Sequence, residues 1–361
     1  MQMAARVNSS FKNGEEPLFD DVPLEDALPK PMPPDSKLSE LVSAIPRTIR
    51  LGTSSWAFPG WRGIVYSASS GSRRLAQEGL AAYSANPLLR TVGLDRNFYR
   101  PLTRRQFEAF AKQVPEDFRF LVKAPRNITD PYVRAENGRA KGQNPHFLNA
   151  ELAASHFLRP AVMGLGEKTG PLVFQFSPFQ RSVMRQETER TRIVEAIARF
   201  FAELQDLNPS GRLLCAEFRN YELVTPRMLT QLRSLGVVYV MGIHPTMPGV
   251  RRQIEAVKFY ETGNRTLEGD WQIRHPVVIR WSLAAHQFFD VARRHWAPFD
   301  RIQSPDPVTR SLLASVLVRA ARSDCESYMV ANNKAEGCAP ITMRSVAEHV
   351  FEQWRPSSSR R

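Results

Sequence analysis

Residues 328–340 read YMVANNKAEGCAP: an apolar run that breaks into a polar cluster, Asn332-Asn333-Lys334 with Glu336, just before a helical stretch at 343–354. Asn and Gly make turns for local backbone reasons, so a turn before a helix would explain this stretch on its own. Repetition decides otherwise. TIRLGT (48–53) runs into Ser54-Ser55-Trp56, RTVGL (90–94) into Asp95-Arg96-Asn97-Phe98-Tyr99, and FRFLV (118–122) into Lys123-Ala124-Pro125-Arg126. PLVFQF (171–176) carries Gln175, and RLLCA (212–216) leads to Glu217-Phe218-Arg219-Asn220. VVYVM (237–241) leads to Gly242-Ile243-His244-Pro245, and VVI (277–279) to Arg280-Trp281-Ser282. With 328–331 these make eight candidate strands, each short, apolar and ended by polar or charged residues.

The segments between them carry helical periods. Thr103 is placed to cap a helix in which Phe107, Phe110, Ala111 and Val114 share one face, with Pro115 as the stop signal. Ile193, Ile197, Phe200, Phe201 and Leu204 form another stripe. Thr225-Pro226, then Leu229, Leu232, Leu235 and Gly236, give a cap, a first-turn proline and a glycine stop. Such stripes are core faces. Apolar strands alternating with amphipathic helices imply a parallel sheet covered by helices. Eight such units in roughly 310 residues fit an α/β fold of the (β/α)8 TIM-barrel type.

In a barrel of that type the C-terminal strand ends open on one face, and catalytic groups come from several strands. Lys123, Gln175, Glu217, Arg219, Arg280, Asn332 and Asn333 are therefore expected to share one mouth, with Arg126 on its rim and Trp56, Phe98 and Tyr99 as an aromatic wall. Glu217 is the candidate general acid or base, because a carboxylate fixed by neighbouring cations can exchange protons with a bound molecule, and Lys123 is the second catalytic candidate, neutralising substrate charge together with Arg219 and Arg280. Trp56, Tyr99, Arg126, Gln175, Arg219, Arg280, Asn332 and Asn333 are the candidates for substrate binding. A bland alternative exists for individual members: Lys123 and Arg126 as solvated rim, Glu217 as the ion-pair partner of Arg219.

Gly52-Thr53-Ser54-Ser55-Trp56, followed by Trp61-Arg62-Gly63 and Tyr66, resembles the opening GTSGW…W.G..Y of the YecE-like family, the domain of unknown function numbered 72. Asn97-Phe98-Tyr99-Arg100 is similar to its TFYR segment, FRFLVKAPRNIT (118–129) to FRFAVKAPRRIT, and GPLVFQF (170–176) to GPLLFQL. Ala216-Glu217-Phe218-Arg219 resembles its EFR, and residues 332–340 its NN.AEG.AP. The resemblance spans about residues 48–353 and implies a (β/α)8 barrel, with no reaction assigned. Two segments depart from it. Gly93 stands where the family usually has Glu in VEIN, with Asp95 at the Asn position, and Arg280-Trp281-Ser282-Leu283 replaces a frequent R-x-H-G.

At 361 residues and 42% hydrophobic, the chain can bury one large core, and a barrel at 47–355 needs no second domain. Residues 1–46 are acidic, rich in proline and poor in periodicity, which reads as a flexible, disordered leader without the apolar run of a signal peptide. Residues 356–361 read as a disordered tail. No stretch approaches the ~20 apolar residues of a membrane span, so no membrane partner is expected. Three cysteines, Cys215, Cys325 and Cys338, lie in or beside apolar runs without C-x-x-C spacing, which suits a reducing, cytoplasmic compartment. Residues 130–149 hold a polar stretch (Arg134, Glu136, Asn137, Arg139, Lys141, Gln143) with Gly138 and Gly142 as hinges and read as a mobile flap over the mouth, or else as a disordered insertion.

Residues 1–50 hold eight acidic and six basic side chains, so the net +13 of the whole chain leaves about +15 on the rest. A basic mouth points to an anionic partner. The leading expectation is an enzyme acting on a small phosphate- or carboxylate-bearing substrate by acid–base chemistry, with the reaction class open among hydrolase, lyase and isomerase. The alternative is a nucleic-acid-binding protein or phosphoesterase resembling the apurinic-endonuclease barrels, taking a flipped nucleotide. No cofactor is expected. A divalent metal held by Asp95, Glu217 and His244, with His286, is the competing arrangement, opposed by the cations Lys123, Arg219 and Arg280.

Overall fold

A computed structural model describes residues 27–135, 138–266, 270–283, 287 and 289–355. Eight parallel strands close a barrel in chain order: β1 (Ile49–Thr53), β2 (Leu89–Leu94), β3 (Arg119–Lys123), β4 (Thr169–Gln175), β5 (Leu214–Glu217), β6 (Val238–Ile243), β7 (Val277–Trp281) and β8 (Ser327–Ala331). All eight coincide with the strands expected from sequence, with ends moved by two residues at most. Their near-total burial explains the continuous apolar runs, since helices cover the outside while side chains fill the inside. Where β1 approaches β2, a Cβ on Gly52 would lie 1.9 Å from the carbonyl oxygen of Thr91, so only glycine fits.

The helices form where capping and periodicity agree. Thr103 and Gln106 close a capping box ahead of helix Arg104–Ala111. Helix Glu187–Asp206 buries Val194, Ile197, Phe200, Phe201 and Leu204 against β4 and its neighbours, with Phe174 edge-on to both Phe200 and Phe201. Thr225 caps Pro226–Ser234 by accepting from the Met228 N–H.

Inside the barrel, Leu121, Val173, Cys215, Val238, Val240, Val278, Tyr328 and Val330 form their own apolar cluster. Side chains of a strand alternate between faces, so two residues further along the same strands the inward positions are Lys123, Gln175, Glu217, Gly242, Arg280 and Asn332. An apolar floor thus carries a polar layer at the C-terminal end.

The stretch read as leader is structured from residue 27 onward, which corrects the boundary at 46. Asp35 caps helix Ser36–Ala44, and Leu38 and Leu41 are buried in the main core beside the last helix, Ala339–Trp354. Arg344 of that last helix binds the Asp35 carboxylate at 2.7 and 3.1 Å. Two buried leucines three residues apart, flanked by prolines, are too little periodicity to announce a helix in isolation. The leader at residues 1–26 and the tail at 356–361 lie outside the described residues. Among the described residues no helix is long and apolar enough to cross a membrane.

Candidate functional site

Glu217 ends β5 with no solvent exposure and sits between two guanidinium groups. Arg219 Nη1 lies 2.7 Å from its Oε1, and Arg280 Nη1 donates to its Oε2. Arg280 also donates through Nη2 to Asp95 Oδ1 at 2.6 Å and through Nη1 to Gln175 Oε1 at 3.2 Å. Arg219 Nη2 reaches Gln175 Oε1 at 3.0 Å and Ser282 Oγ at 3.3 Å. Room for this lattice comes from β6, because a Cβ on Gly242 would lie 3.2 Å from both Arg219 Nη1 and Glu217 Oε1. Burial works to raise the Glu217 carboxyl, but Arg219, Arg280 and Lys123 outweigh it and hold it below the usual carboxylate range. A carboxylate held ionised at neutral pH and closed off by arginines arranges charge, and it is poorly placed to trade protons with a ligand.

Lys123 ends β3 in a different setting. It is 6% exposed, its Nζ lies 3.5 Å from the centroid of the Phe98 ring, and among the described residues no hydrogen-bond acceptor or carboxylate pairs with it. Burial pushes its amine down to about 7; Asp95 and Glu217 act to raise it, while Arg280 and Arg219 act to lower it. A buried amine that titrates near neutrality is suited to proton transfer or nucleophilic attack.

A cavity of about 480 Å³ opens over this layer. Lys123, Gln175, Arg219, Arg280 and Asn332 all line it, and so do Tyr99 and Arg126, as anticipated. Tyr99 is exposed at its rim and Arg126 is half-buried. His244 lines it as well; its Nδ1 accepts from the Thr246 N–H at 3.2 Å, which places the proton of the neutral ring on Nε2. Burial, seconded by Arg219, pushes that imidazole down to about 4, so the ring is neutral at physiological pH. Asn332 bridges β8 to β1 by donating to Ser54 Oγ at 2.9 Å.

Three expected residues lie elsewhere. Trp56 is no wall of the mouth: it is 1% exposed in the core, donates Nε1–H to the Leu75 carbonyl at 2.8 Å and meets Phe110 edge-on. Asn333 is buried and ties its own loop by accepting from the Ala339 N–H at 2.8 Å. Glu217, though central, is screened beneath Arg219 and Arg280 and does not line the cavity. The conspicuous Glu336 is structural too, accepting from the Asp306 N–H and pairing with Arg310 at 2.9 Å. Cys338 is buried beside it, its thiol pushed up to about 12.

The flap segment takes form as an antiparallel hairpin, Tyr132–Arg134 with Ala140–Gln143. Its base is held by Arg134, which grips the buried Asp130 carboxylate through Nε at 2.9 Å and Nη2 at 3.0 Å, and Arg134 and Gly138 reach the cavity wall. Asp130, Arg134, Ser177 and Ser282 were missed as cavity residues; the Asp130–Arg134 spacing of four was the one signal that pointed to a pair. Of the metal set, Asp95 pairs with Arg280, and among the described residues no group of three His, Cys, Asp or Glu side chains is placed to hold an ion. His286 lies outside the described residues.

A family profile described as "Protein of unknown function DUF72" matches residues 50–360, and the chain belongs to that family. Two crystal structures of a DUF72 family protein from Enterococcus faecalis V583, at 3.10 and 2.52 Å resolution, have the same fold, with TM-scores of 0.52 and 0.50. Each is 16% identical over 84% and 86% of this chain and 95% and 98% of theirs, a likeness that shows the fold alone. No curated protein matches the chain.

Proposed function

We propose that the mouth of this barrel binds a small phosphate- or carboxylate-bearing substrate and acts on it by acid–base chemistry, with Lys123 moving the proton. The observation that carries this reading is a difference among the cations of the cavity. Arg219, Arg280 and Arg134 are each committed to a carboxylate, whereas Lys123 at the end of β3 and Arg126 three residues on line the cavity with no anionic partner among the described residues. Unpaired cations around a concave, partly desolvated site favour an incoming anion, and they gain strength from the low local dielectric. Gln175 and Asn332 supply amides that orient a ligand, and His244 offers an Nε2–H to a substrate oxygen.

Inorganic phosphate and oxalate serve as probes, read by thermal shift and calorimetry. Arg126→Ala should weaken their binding by about 1.5–3 kcal/mol, the range for a charge-assisted hydrogen bond. Failure of every small anion to bind would remove this reading. Identification of small molecules released from the heat-denatured protein would then name the substrate.

The second reading, a nucleic-acid ligand, has one observation of its own. A neighbouring cavity of about 740 Å³ shares Arg134, Pro178 and Arg219 with the first and adds Arg181, Arg252, Tyr132 and Tyr221. Basic and aromatic side chains in one groove suit a chain of stacked, charged units. Polynucleotide binding that falls steeply with salt would favour it.

A further inference from the structure

We propose that Lys123 is a nucleophile that captures a small anionic carbonyl compound, a 2-oxo acid or a phosphorylated aldehyde, as an imine. The inference rests on the reading of the mouth as an anion site and names the substrate class for it. Its geometric basis is the amine itself: at the inward end of β3, it faces a 480 Å³ cavity and is tied down by no acceptor among the described residues. A lysine meant only as a fixed charge is ordinarily seated on a carboxylate, and the two carboxylates nearby, Asp95 and Glu217, are both taken by Arg280. The lone pair is thus left available once the amine loses its proton, which its surroundings make easy near neutral pH.

The chemistry balances without an added oxidant or reductant. The Lys123 nitrogen attacks the carbonyl carbon, a C–N bond forms, and one amine hydrogen passes to the carbonyl oxygen to give a carbinolamine. Loss of that hydroxyl with the second amine hydrogen releases one water and leaves the C=N bond. Protonation by solvent in the cavity gives an iminium cation, which stands where Nζ now lies 3.5 Å from the centre of the Phe98 ring; the aromatic face stabilises that charge. Arg126 meets the carboxylate or phosphate of the substrate, and the His244 Nε2–H is available to the departing oxygen. The groups that set the charge at Lys123 are Asp95, Glu217, Arg280 and Arg219, so replacing any of them should shift the pH at which capture begins.

Reductive trapping tests this directly. Full-length protein is incubated with pyruvate, glyoxylate or glycolaldehyde phosphate and cyanoborohydride, and read by intact mass and peptide mapping. The expected result, for at least one probe, is a single addition per chain equal to the probe less one oxygen, on the peptide containing Lys123, suppressed by excess inorganic phosphate and rising as pH passes through about 7. Lys123→Arg should abolish it, and its melting curve reports whether that variant is folded. No addition with any of the three probes, or addition spread over surface lysines and unchanged in Lys123→Arg, overturns the proposal. Wild-type protection by phosphate decides the matter even if Lys123→Arg does not fold, because surface lysines would not be protected. Phosphate binding without trapping would sink the imine alone and leave the anion site standing; trapping without anion binding would do the reverse.

Discussion

Replacing Glu217 with Gln keeps the shape of the side chain and removes its charge, and the structure says what that change should cost. Glu217 is fully buried, and the side chains of Arg280 and Arg219 beside it are only 4% and 10% exposed. Arg280 would keep Asp95, but Arg219 would keep, among the described residues, only the neutral Gln175 and Ser282. Leaving a buried guanidinium without its counter-charge costs about 3–5 kcal/mol. At about 2–4 °C per kcal/mol for a large domain, the melting midpoint should fall by about 6–20 °C. The pH dependence fixes the sign. The folded Glu217 carboxyl is depressed below its ordinary 4.5, so its stabilising effect is complete above that value and disappears as pH falls through the lower folded value. The gap between wild type and Glu217→Gln should therefore be full at neutral pH and narrow in acid. Urea unfolding at several pH values measures both. A loss under about 1 kcal/mol at neutral pH would refute the reasoning, because the pair would then be either solvated or replaceable.

Lys123→Met should act in the opposite direction. The folded amine titrates near about 7 against an ordinary 10.5, so the unfolded chain binds the extra proton between those values and wild-type stability climbs with pH across that window. The methionine variant should therefore melt higher than wild type at pH 6 and lose that advantage towards pH 10; a constant difference would show that the amine is not desolvated. Gly242→Ala should destabilise by about 1–3 kcal/mol, since its methyl group would press on Arg219 and Glu217, and normal stability would show that the pair can shift. Leu41→Ala should cost about 2–4 kcal/mol in chemical unfolding if helix Ser36–Ala44 belongs to the folded core; a negligible change would return that helix to the leader. Arg134→Ala should speed amide exchange in the hairpin selectively, because it removes both bonds to Asp130.

The barrel was legible because two independent periods agreed along the chain. Strands buried on both faces leave continuous apolar runs, and the polar residue that follows each run marks the end that opens to solvent. Alternation by two residues then carried five of the seven polar strand-end residues, Lys123, Gln175, Arg219, Arg280 and Asn332, to the cavity wall. Trp56 failed for a reason that spacing cannot reveal. It follows β1 closely enough to belong to the mouth, yet the chain turns outward there and the indole finds Leu75 and Phe110 behind the barrel. A large aromatic at a strand end gains more from full burial than from half-exposure, and nothing in its neighbours announces the turn. Asn333 and Glu336 failed alike: polar clusters at strand ends line sites, but they also satisfy the backbone of the loops that carry them.

Charge allocation was the least legible feature, and it alters the chemistry most. From sequence, Glu217 beside Arg219 reads as a carboxylate tuned for proton exchange, since i and i+2 share a face. What sequence withholds is the third party. Arg280 arrives from β7, binds Glu217 and Asp95 together, and leaves Lys123 without a carboxylate among the described residues. Gly93 on β2 and Asp95 just beyond it take part in this outcome. Gly93 removes any carboxylate from that inward position, and a Cβ there would already lie 3.1 Å from the Ser54 Cα. Asp95 supplies the acid two residues further out, where it is spent on Arg280. Had a glutamate occupied position 93, Lys123 would have had a candidate partner and an amine titrating closer to its ordinary range. Among the described residues, the lysine without a carboxylate partner is thus a consequence of where this chain places its acids, and the glycine at 93 is part of how the site is built.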